Sequence, residues 1–321
     1  MGTDLGGVRV FVKRDDFTSL GGGGNKLRKL EFLLGEARTQ GADTILTVGG
    51  RQSNHARLTA AASARAGFSC ELVLPRVVPI GDDDYLHNGN VLLDDLFGAY
   101  VHDLPGDADV GSFAAERSAT LGREGRKVYF IPTGGSNAVG CLGYADCALE
   151  IEAQSSALGI EFSRVVLANG SSGTHAGLAA RFALTPKGAS FVASYAVYHP
   201  ADKTRANTLV MARDTAALMG SEVALDETDI LVDGEHRGEG YGIPTRGMVD
   251  AVRLLARKEG LLLDPVYGGK AFGGLLHDIR RGRYKPGEAV LFVMTGGMPG
   301  LFAYRSALEG ARALSGPRYG L

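Results

Sequence analysis

Three cysteines in 321 residues, Cys70, Cys141 and Cys147, are too few for a disulfide framework. They form no Cys-x-x-Cys pair and no ligand group with the scattered histidines, so no metal centre is expected. A reducing cytoplasm fits that usage. No apolar run approaches the length needed to cross a bilayer, and the N-terminus lacks a basic segment followed by an apolar core. The chain therefore reads as soluble and unexported. The formal net charge is -2, with lysine and arginine spread along the sequence, which gives no footprint for nucleic acid or an anionic membrane. No internal repeat is present. A small-molecule ligand remains.

What the chain has in quantity is glycine, 47 residues, concentrated at the ends of short apolar runs and not in a low-complexity linker. Those runs are DTILTVGG (43–50), CELVLP (70–75), KVYFIPTGG (127–135), SRVVLANG (163–170), SFVASYAV (190–197) and EAVLFVMTGG (288–297), and longer helical patterns separate them. The alternation predicts parallel sheets with helices on their faces, an α/β fold. Ligands of such sheets gather at the carboxyl ends of strands, where these glycines lie. A chain of 321 residues with 45% hydrophobic content is expected to form two lobes. Residues 76–110 (RVVPIGDDDYLHNGN, LPGDADVG) are acidic and turn-rich and read as a surface connection around a helix.

The stretch SLGGGGNKLRKLEF (19–32) sets glycines, Asn25 and Lys26 before an apolar stripe of Leu27, Leu30, Leu33 and Leu34. Asn25 is expected to be the helix N-cap. Lys26, Arg28 and Lys29 then face the positive end of the helix dipole, an arrangement that disfavours an ammonium. A lysine with a lowered pKa is what attack on an aldehyde and Schiff-base formation require, and Arg28 and Lys29 are free to pair with an anion. An ordinary glycine turn before a solvated basic helix start fits the same letters. A Walker A loop does not, because Leu27 follows Lys26.

At GGRQSNHARLTAAASARAG (49–67) a strand ends and an alanine-rich helix starts near His55, with Ser53 and Asn54 as N-cap types. The helix start suits a carboxylate, and simple capping accounts for the same residues. In VVLANGSSGTHAGLAARFA (165–183), Gly170, Ser171, Ser172, Gly173 and Thr174 lie between a strand and a helix. Backbone N–H groups, hydroxyls and the helix dipole there suit one phosphate. The glycines do not follow G-x-G-x-x-G, so a dinucleotide is poorly supported. Tyr241 (GEGYGIPT) and Tyr267 (LDPVYGGKAFGGL) each adjoin glycines, where a phenol can project into a cleft or lie buried with its hydroxyl satisfied. Thr295, in VLFVMTGGMPGLFAY, is a neutral hydrogen-bonding residue at a strand end.

Together KRDD (13–16), GGNKLRKLEF (23–32), QSNHAR (52–57), GSSGTHAG (170–177), LDPVY (263–267) and TGGMPGLFAY (295–304) resemble, from about residue 8 to 305, one family. It is the pyridoxal-phosphate enzymes of the D-cysteine desulfhydrase and 1-aminocyclopropane-1-carboxylate deaminase family. The resemblance implies the two-lobed tryptophan synthase β-like fold, fold type II. The large pyridoxal-phosphate domain would comprise 1–28 and 151–321, and the small α/β domain 29–150. It also implies a homodimer. By the same resemblance Lys26 holds the cofactor covalently and frees the α-proton of the substrate, while Gly170, Ser171, Ser172, Gly173 and Thr174 cradle the cofactor phosphate with help from Lys29. Asn54 would bond the pyridine hydroxyl, Thr295 the pyridine nitrogen, and Ser53, with Asn54 and His55, the substrate carboxylate. Tyr241 and Tyr267 match the family's two active-site tyrosines, which position or protonate a leaving group.

There are two departures. Deaminases that open the cyclopropane ring typically carry Glu where this chain has Gly268 and Leu where it has Thr295, so both positions favour the desulfhydrase side. The family also usually has a Leu-Pro-Thr-Pro type segment before the first strand, which implies that part of the large lobe or the dimer contact is missing or rebuilt here. The expected reaction is β-elimination from a small amino acid, D-cysteine first, giving pyruvate, ammonia and hydrogen sulfide. The cyclopropane deaminase, an L-cysteate sulfo-lyase and a catalytically silent pyridoxal-phosphate binder are the alternatives.

Overall fold

The computed structural model describes residues 5–309. The chain runs β1 (Arg9–Arg14), α1 (Lys26–Thr39), β2 (Thr44–Val48), α2 (Asn54–Ala66), β3 (Ser69–Pro75), α3 (Asp83–His87), α4 (Asn90–Leu96), β4 (Tyr100–Leu104), α5 (Val110–Arg123), β5 (Val128–Ile131) and α6 (Ala138–Leu158). It continues with β6 (Phe162–Asn169), α7 (Gly173–Phe182), β7 (Val192–Ala196), α8 (Ala201–Leu218), β8 (Leu231–Asp233), α9 (Arg246–Glu259), α10 (Gly268–Arg280), β9 (Ala289–Met294), α11 (Gly300–Ala303) and α12 (Arg305–Glu309). The strands form two sheets, β1-β9-β6-β7-β8 and β4-β3-β2-β5, and every pairing is parallel.

Each predicted run is a strand. Parallel strands covered by helices on both sides need apolar side chains in both directions, and β2 (TILTV) and β9 (AVLFVM) are buried at every position. The segment 76–110 is more than a connection. It contributes α3, α4 and β4, the last an edge strand beside β3. Its letters, YVHDL, are mostly exposed, which is why no apolar run announced it.

Register places the site. β1 pairs with β9 from Arg9↔Ala289 to Arg14↔Met294, so the glycine loop after β1 emerges beside Thr295, and the Asn25 N–H donates to the Thr295 carbonyl at 3.0 Å. The glycines there are required by the backbone. Gly23 has φ 76°, and a Cβ on it would lie 2.1 Å from the Asp16 carbonyl oxygen. Leu30 and Leu33 of α1 are buried, with Leu27 and Leu34 packed against the same cluster. The cysteines are free and buried. Among the described residues no helix is long and apolar enough to cross a membrane.

Candidate active site

A cavity of about 240 Å³ lies at the carboxyl ends of both sheets, lined by the ends of β2 (Val48), β3 (Pro75), β6 (Asn169) and β9 (Thr295). Lys26, Ser53, Asn54, His55, Gly170, Ser171, Ser172, Thr174, Tyr241, Tyr267 and Thr295 all line it. Of the residues singled out in the sequence, Arg28, Lys29, Gly173 and Gly268 do not.

Lys26 opens α1, and Asn25 stands at the N-cap position without capping it. Asn25 has helical φ/ψ and makes no capping bond. Its Oδ1 accepts from Lys26 Nζ at 3.1 Å, and its Nδ2 donates to Thr174 Oγ1 at 3.2 Å. One amide thus ties Lys26 to the first turn of α7. The Lys26 amine is lowered to about 7, first by burial and then by the Lys29 charge, with Asp264 opposing. Burial, more than the dipole argument made from sequence, is the main cause. Arg28 points away and forms paired bonds of 2.8–2.9 Å with Asp15 and Glu150.

Lys29 is fully buried behind the loop. Its Nζ donates to Ser136 Oγ at 3.0 Å and to the Gly134 carbonyl at 3.2 Å. Ser136 Oγ is in turn 2.8 Å from Ser171 Oγ. A Cβ on Gly173 would lie 2.8 Å from Lys29 Nζ, so only glycine lets the lysine approach the start of α7. Burial lowers Lys29 to about 8. Ser172 has φ 69°, the only non-glycine residue with positive φ among those described. Such a backbone costs roughly 1–3 kcal/mol, and its place in the cavity lining ties the strain to the site. The Ser172 N–H is held by Asn169 Oδ1 at 3.1 Å.

Ser53 caps α2, accepting from the Ala56 N–H at 3.1 Å, which leaves its own proton for a ligand. His55 is buried, and burial with the charges of Lys26 and Lys29 holds it well below the usual histidine range. Thr47 Oγ1 donates to the Ile131 carbonyl at 2.7 Å and lies 2.8 Å from His55 Nε2. The threonine proton is committed, so Nε2 carries the imidazole proton and Nδ1 is an acceptor. His55 Nδ1 is buried without a partner among the described residues.

Tyr241 and Tyr267 meet at 2.6 Å between their hydroxyls, and burial raises both phenols. Tyr267 is set by Asp264, whose carboxylate accepts from the N–H groups of Val266, Tyr267 and Gly268 at 3.0, 2.8 and 2.6 Å. Burial raises Asp264 to about 6, against those bonds and the Lys26 charge.

A family model described as pyridoxal-phosphate dependent enzyme matches residues 2–296. The chain belongs to that family. D-cysteine desulfhydrases of Yersinia enterocolitica, 43% identical over 303 residues, and Serratia proteamaculans, 41% over 304, are similar across 94% of this chain and 90% of theirs. A solved structure described as an ACC deaminase homologue is 36% identical with a TM-score of 0.85, covering 97% of this chain and 90% of that one. An O-ureido-L-serine synthase structure, 18% identical with a TM-score of 0.65 over 93% of this chain and 88% of that one, shares the fold.

The pyridoxal-phosphate family uses pyridoxal phosphate, and the cavity fits it. One end carries hydroxyls and the start of α7, with Lys29 buried behind Ser136, a donor set for a phosphate. Lys26 supplies a partly neutral amine for an aldehyde. The walls are close: a Cβ on Gly170 would sit 3.0 Å from the Tyr267 ring, and one on Gly297 would sit 2.3 Å from Asn54 Nδ2.

Several lining residues went unread. Asn169, Thr133 and Tyr198 carried no distinguishing pattern, and Val77, Gly106, Ala108 and Val110 lie in or beside the segment taken for a surface connection. Tyr198 packs edge-on to Tyr241 with ring centroids 4.9 Å apart. Outside the cavity lining, Glu235, His236 and His277 come within 4.8 Å of one another, a grouping their spacing did not suggest.

Proposed function

We propose that this protein is a carbon-sulfur lyase that eliminates the β-substituent of D-cysteine, releasing hydrogen sulfide and leaving pyruvate and ammonia. The observation that carries the reading is the convergence of a depressed lysine with a paired-tyrosine acid in one cavity. Full-length similarity to three D-cysteine desulfhydrases, the third from Klebsiella pneumoniae at 43%, supports the substrate.

Lys26 would hold the cofactor covalently. Ser171, Ser172 and Thr174, with the backbone of Gly170 and Gly173, would hold its phosphate, and Lys29 would add positive charge from behind the loop. Asn54 would bond the ring hydroxyl, and Thr295 the ring nitrogen. Pyridoxal phosphate, when bound, supplies an electron sink for a carbanion beside an amine nitrogen.

The chain's own residues supply the rest. Ser53 Oγ, its acceptor side used in capping, donates to the substrate carboxylate together with the first N–H groups of α2. His55 lies beside them. Lys26 Nζ, released when the substrate amine takes its place on the cofactor and then neutral for much of the time near pH 7, would take the α-proton. The tyrosine pair holds two protons and uses one internally, so the other is available to the departing sulfur. Thr295 carries no charge and would leave the ring nitrogen largely unprotonated, which favours prompt loss of the leaving group.

We further infer a cytoplasmic homodimer of two-domain subunits, the large domain 1–28 with 151–321 and the small one 29–150. The two separate sheets support the division. Phe17, 83% exposed, borders a surface depression with Leu262 and Met298, apolar area of the kind a second copy covers.

The test is to load the protein with pyridoxal phosphate, record its visible absorbance, and add D-cysteine, L-cysteine, L-cysteate and the cyclopropane amino acid in turn while following keto-acid release. D-cysteine is expected to turn over fastest. A visible band that survives Lys26→Ala unchanged, or turnover of the cyclopropane acid alone, would overturn the assignment.

A further inference from the structure

Asn54 lines the cavity, and a carboxamide can present either a donor or an acceptor to whatever lies there. The structure decides which. Asn54 Oδ1 accepts a 3.0 Å bond from Asn90 Nδ2. Asn90 is the first residue of α4, 1% exposed, and does not line the cavity.

Asn90 has no freedom to reverse. Its Nδ2 also donates to the Gln52 carbonyl at 3.0 Å, so the nitrogen serves two carbonyl-type oxygens. Its backbone N–H donates to Gln52 Oε1 at 2.9 Å. Gln52 Nε2 is in turn fixed on the Tyr85 and Asn88 carbonyls at 2.7 and 2.9 Å. Asn90 Oδ1, by contrast, is buried with no partner among the described residues. The amide is held through its nitrogen alone, and exchanging its two ends would set oxygen against two oxygens.

We propose that Asn90 is a positioning residue that turns the Asn54 amide so that its Nδ2, not its carbonyl, faces the cofactor ring. This rests on the reading that Asn54 bonds the ring hydroxyl. A hydroxyl that ionises to an oxyanion is stabilised by a donor and repelled by a carbonyl, so the orientation of one half-buried amide sets the charge state of the ring oxygen. Gly297 keeps the space beside Asn54 Nδ2 open, since a Cβ there would lie 2.3 Å from it.

The test compares Asn54→Ala, Asn90→Ala, Asn90→Asp and the double variant Asn54→Ala/Asn90→Ala by pyridoxal phosphate affinity and by pH titration of the visible absorbance. Asn90→Asp keeps the shape but offers oxygen to Asn54, which must then present its carbonyl to the ring. It is expected to weaken cofactor binding roughly tenfold or more, a charged or unpaired buried contact being worth that much, and to move the absorbance titration in the direction Asn54→Ala moves it. Asn90→Ala should do so less, and should add nothing in the Asn54→Ala background. Wild-type-like spectra from both Asn90 variants, with Asn54→Ala shifted, would overturn the role of Asn90. An unshifted Asn54→Ala would overturn the placement of Asn54 itself. In the wild-type protein, the Asn54 side-chain N–H resonances should shift on loading with pyridoxal phosphate, and their failure to move would count against the orientation even if no Asn90 variant folds.

Discussion

The hydroxyl of Tyr241 lies 2.6 Å from that of Tyr267, although one comes from the loop before α9 and the other stands at the start of α10. Burial raises both phenols, so both are protonated at neutral pH and only one proton is used between them. Tyr267→Phe is expected to lower kcat for D-cysteine by about a hundredfold or more, the lower range of general acid contributions. Because the pair acts as one unit, Tyr241→Phe/Tyr267→Phe should be little worse than the worse single variant. Additive losses in keto-acid release would separate the two roles.

Lys26 makes the stability of the cofactor-free protein depend on pH with a fixed sign. The amine sits at about 7 in the fold against 10.5 when unfolded. Between those values the unfolded chain binds the extra proton, so stability rises with pH, by up to about 1.4 kcal/mol per pH unit. Lys26→Met removes that contribution. It should stabilise the cofactor-free protein most below pH 7, with the gain fading toward 10.5. Lys29 and Lys270, lowered to about 8 by burial, remain in both proteins, so urea unfolding of the pair isolates Lys26. A gain that does not change with pH would contradict the depressed amine.

Arg57 holds the glycine loop from which Lys26 is presented. It is fully buried, with Nη1 donating to the Gly21 carbonyl and Nη2 to the Gly23 carbonyl. Arg57→Met would leave the Gly21 and Gly23 carbonyls without their donor, and an acceptor stranded in the interior costs about 1–3 kcal/mol. Denaturant unfolding should show a loss of that order. A stability within experimental error of the wild type would mean that the loop is held by packing alone.

The sheets were legible because their strands are buried on both faces and read as continuous apolar runs, as β2 and β9 do. Where a strand lies exposed at an edge, as YVHDL does in β4, composition says only that the segment is polar. Lys26, Ser53, Thr174 and Tyr267 stood out by type and place at strand or helix ends, and they reach one cavity. What could not be read was which way each polar group turns. Lys26 and Lys29 share a helix face, yet only the first lines the cavity, because Ser136 and the Gly134 carbonyl take the second. Asn25 looked like a cap and instead bridges Lys26 and Thr174. Those outcomes depend on partners more than a hundred residues away in the chain, as with the Asn25 and Thr174 contact across 149 positions.

Gly297 permits a sharp distinction between backbone strain and close approach. It has φ 95°, and an added Cβ would lie 2.3 Å from Asn54 Nδ2 and 2.9 Å from Asp264 Cβ. Gly260 has φ 68° at the end of α9, with nothing within 4 Å of its Cβ position. Alanine at either site carries the left-handed penalty of roughly 1–2 kcal/mol, but only at 297 must a cavity-lining amide move. Gly297→Ala is therefore expected to lose cofactor affinity by about tenfold or more, a buried hydrogen bond being lost with the displaced amide. Gly260→Ala should lower the melting temperature while binding pyridoxal phosphate like the wild type. Titration of the cofactor-free proteins, followed by visible absorbance, separates the cases, and equal affinities in the two variants would show that Asn54 is not held against Gly297 when the cofactor binds.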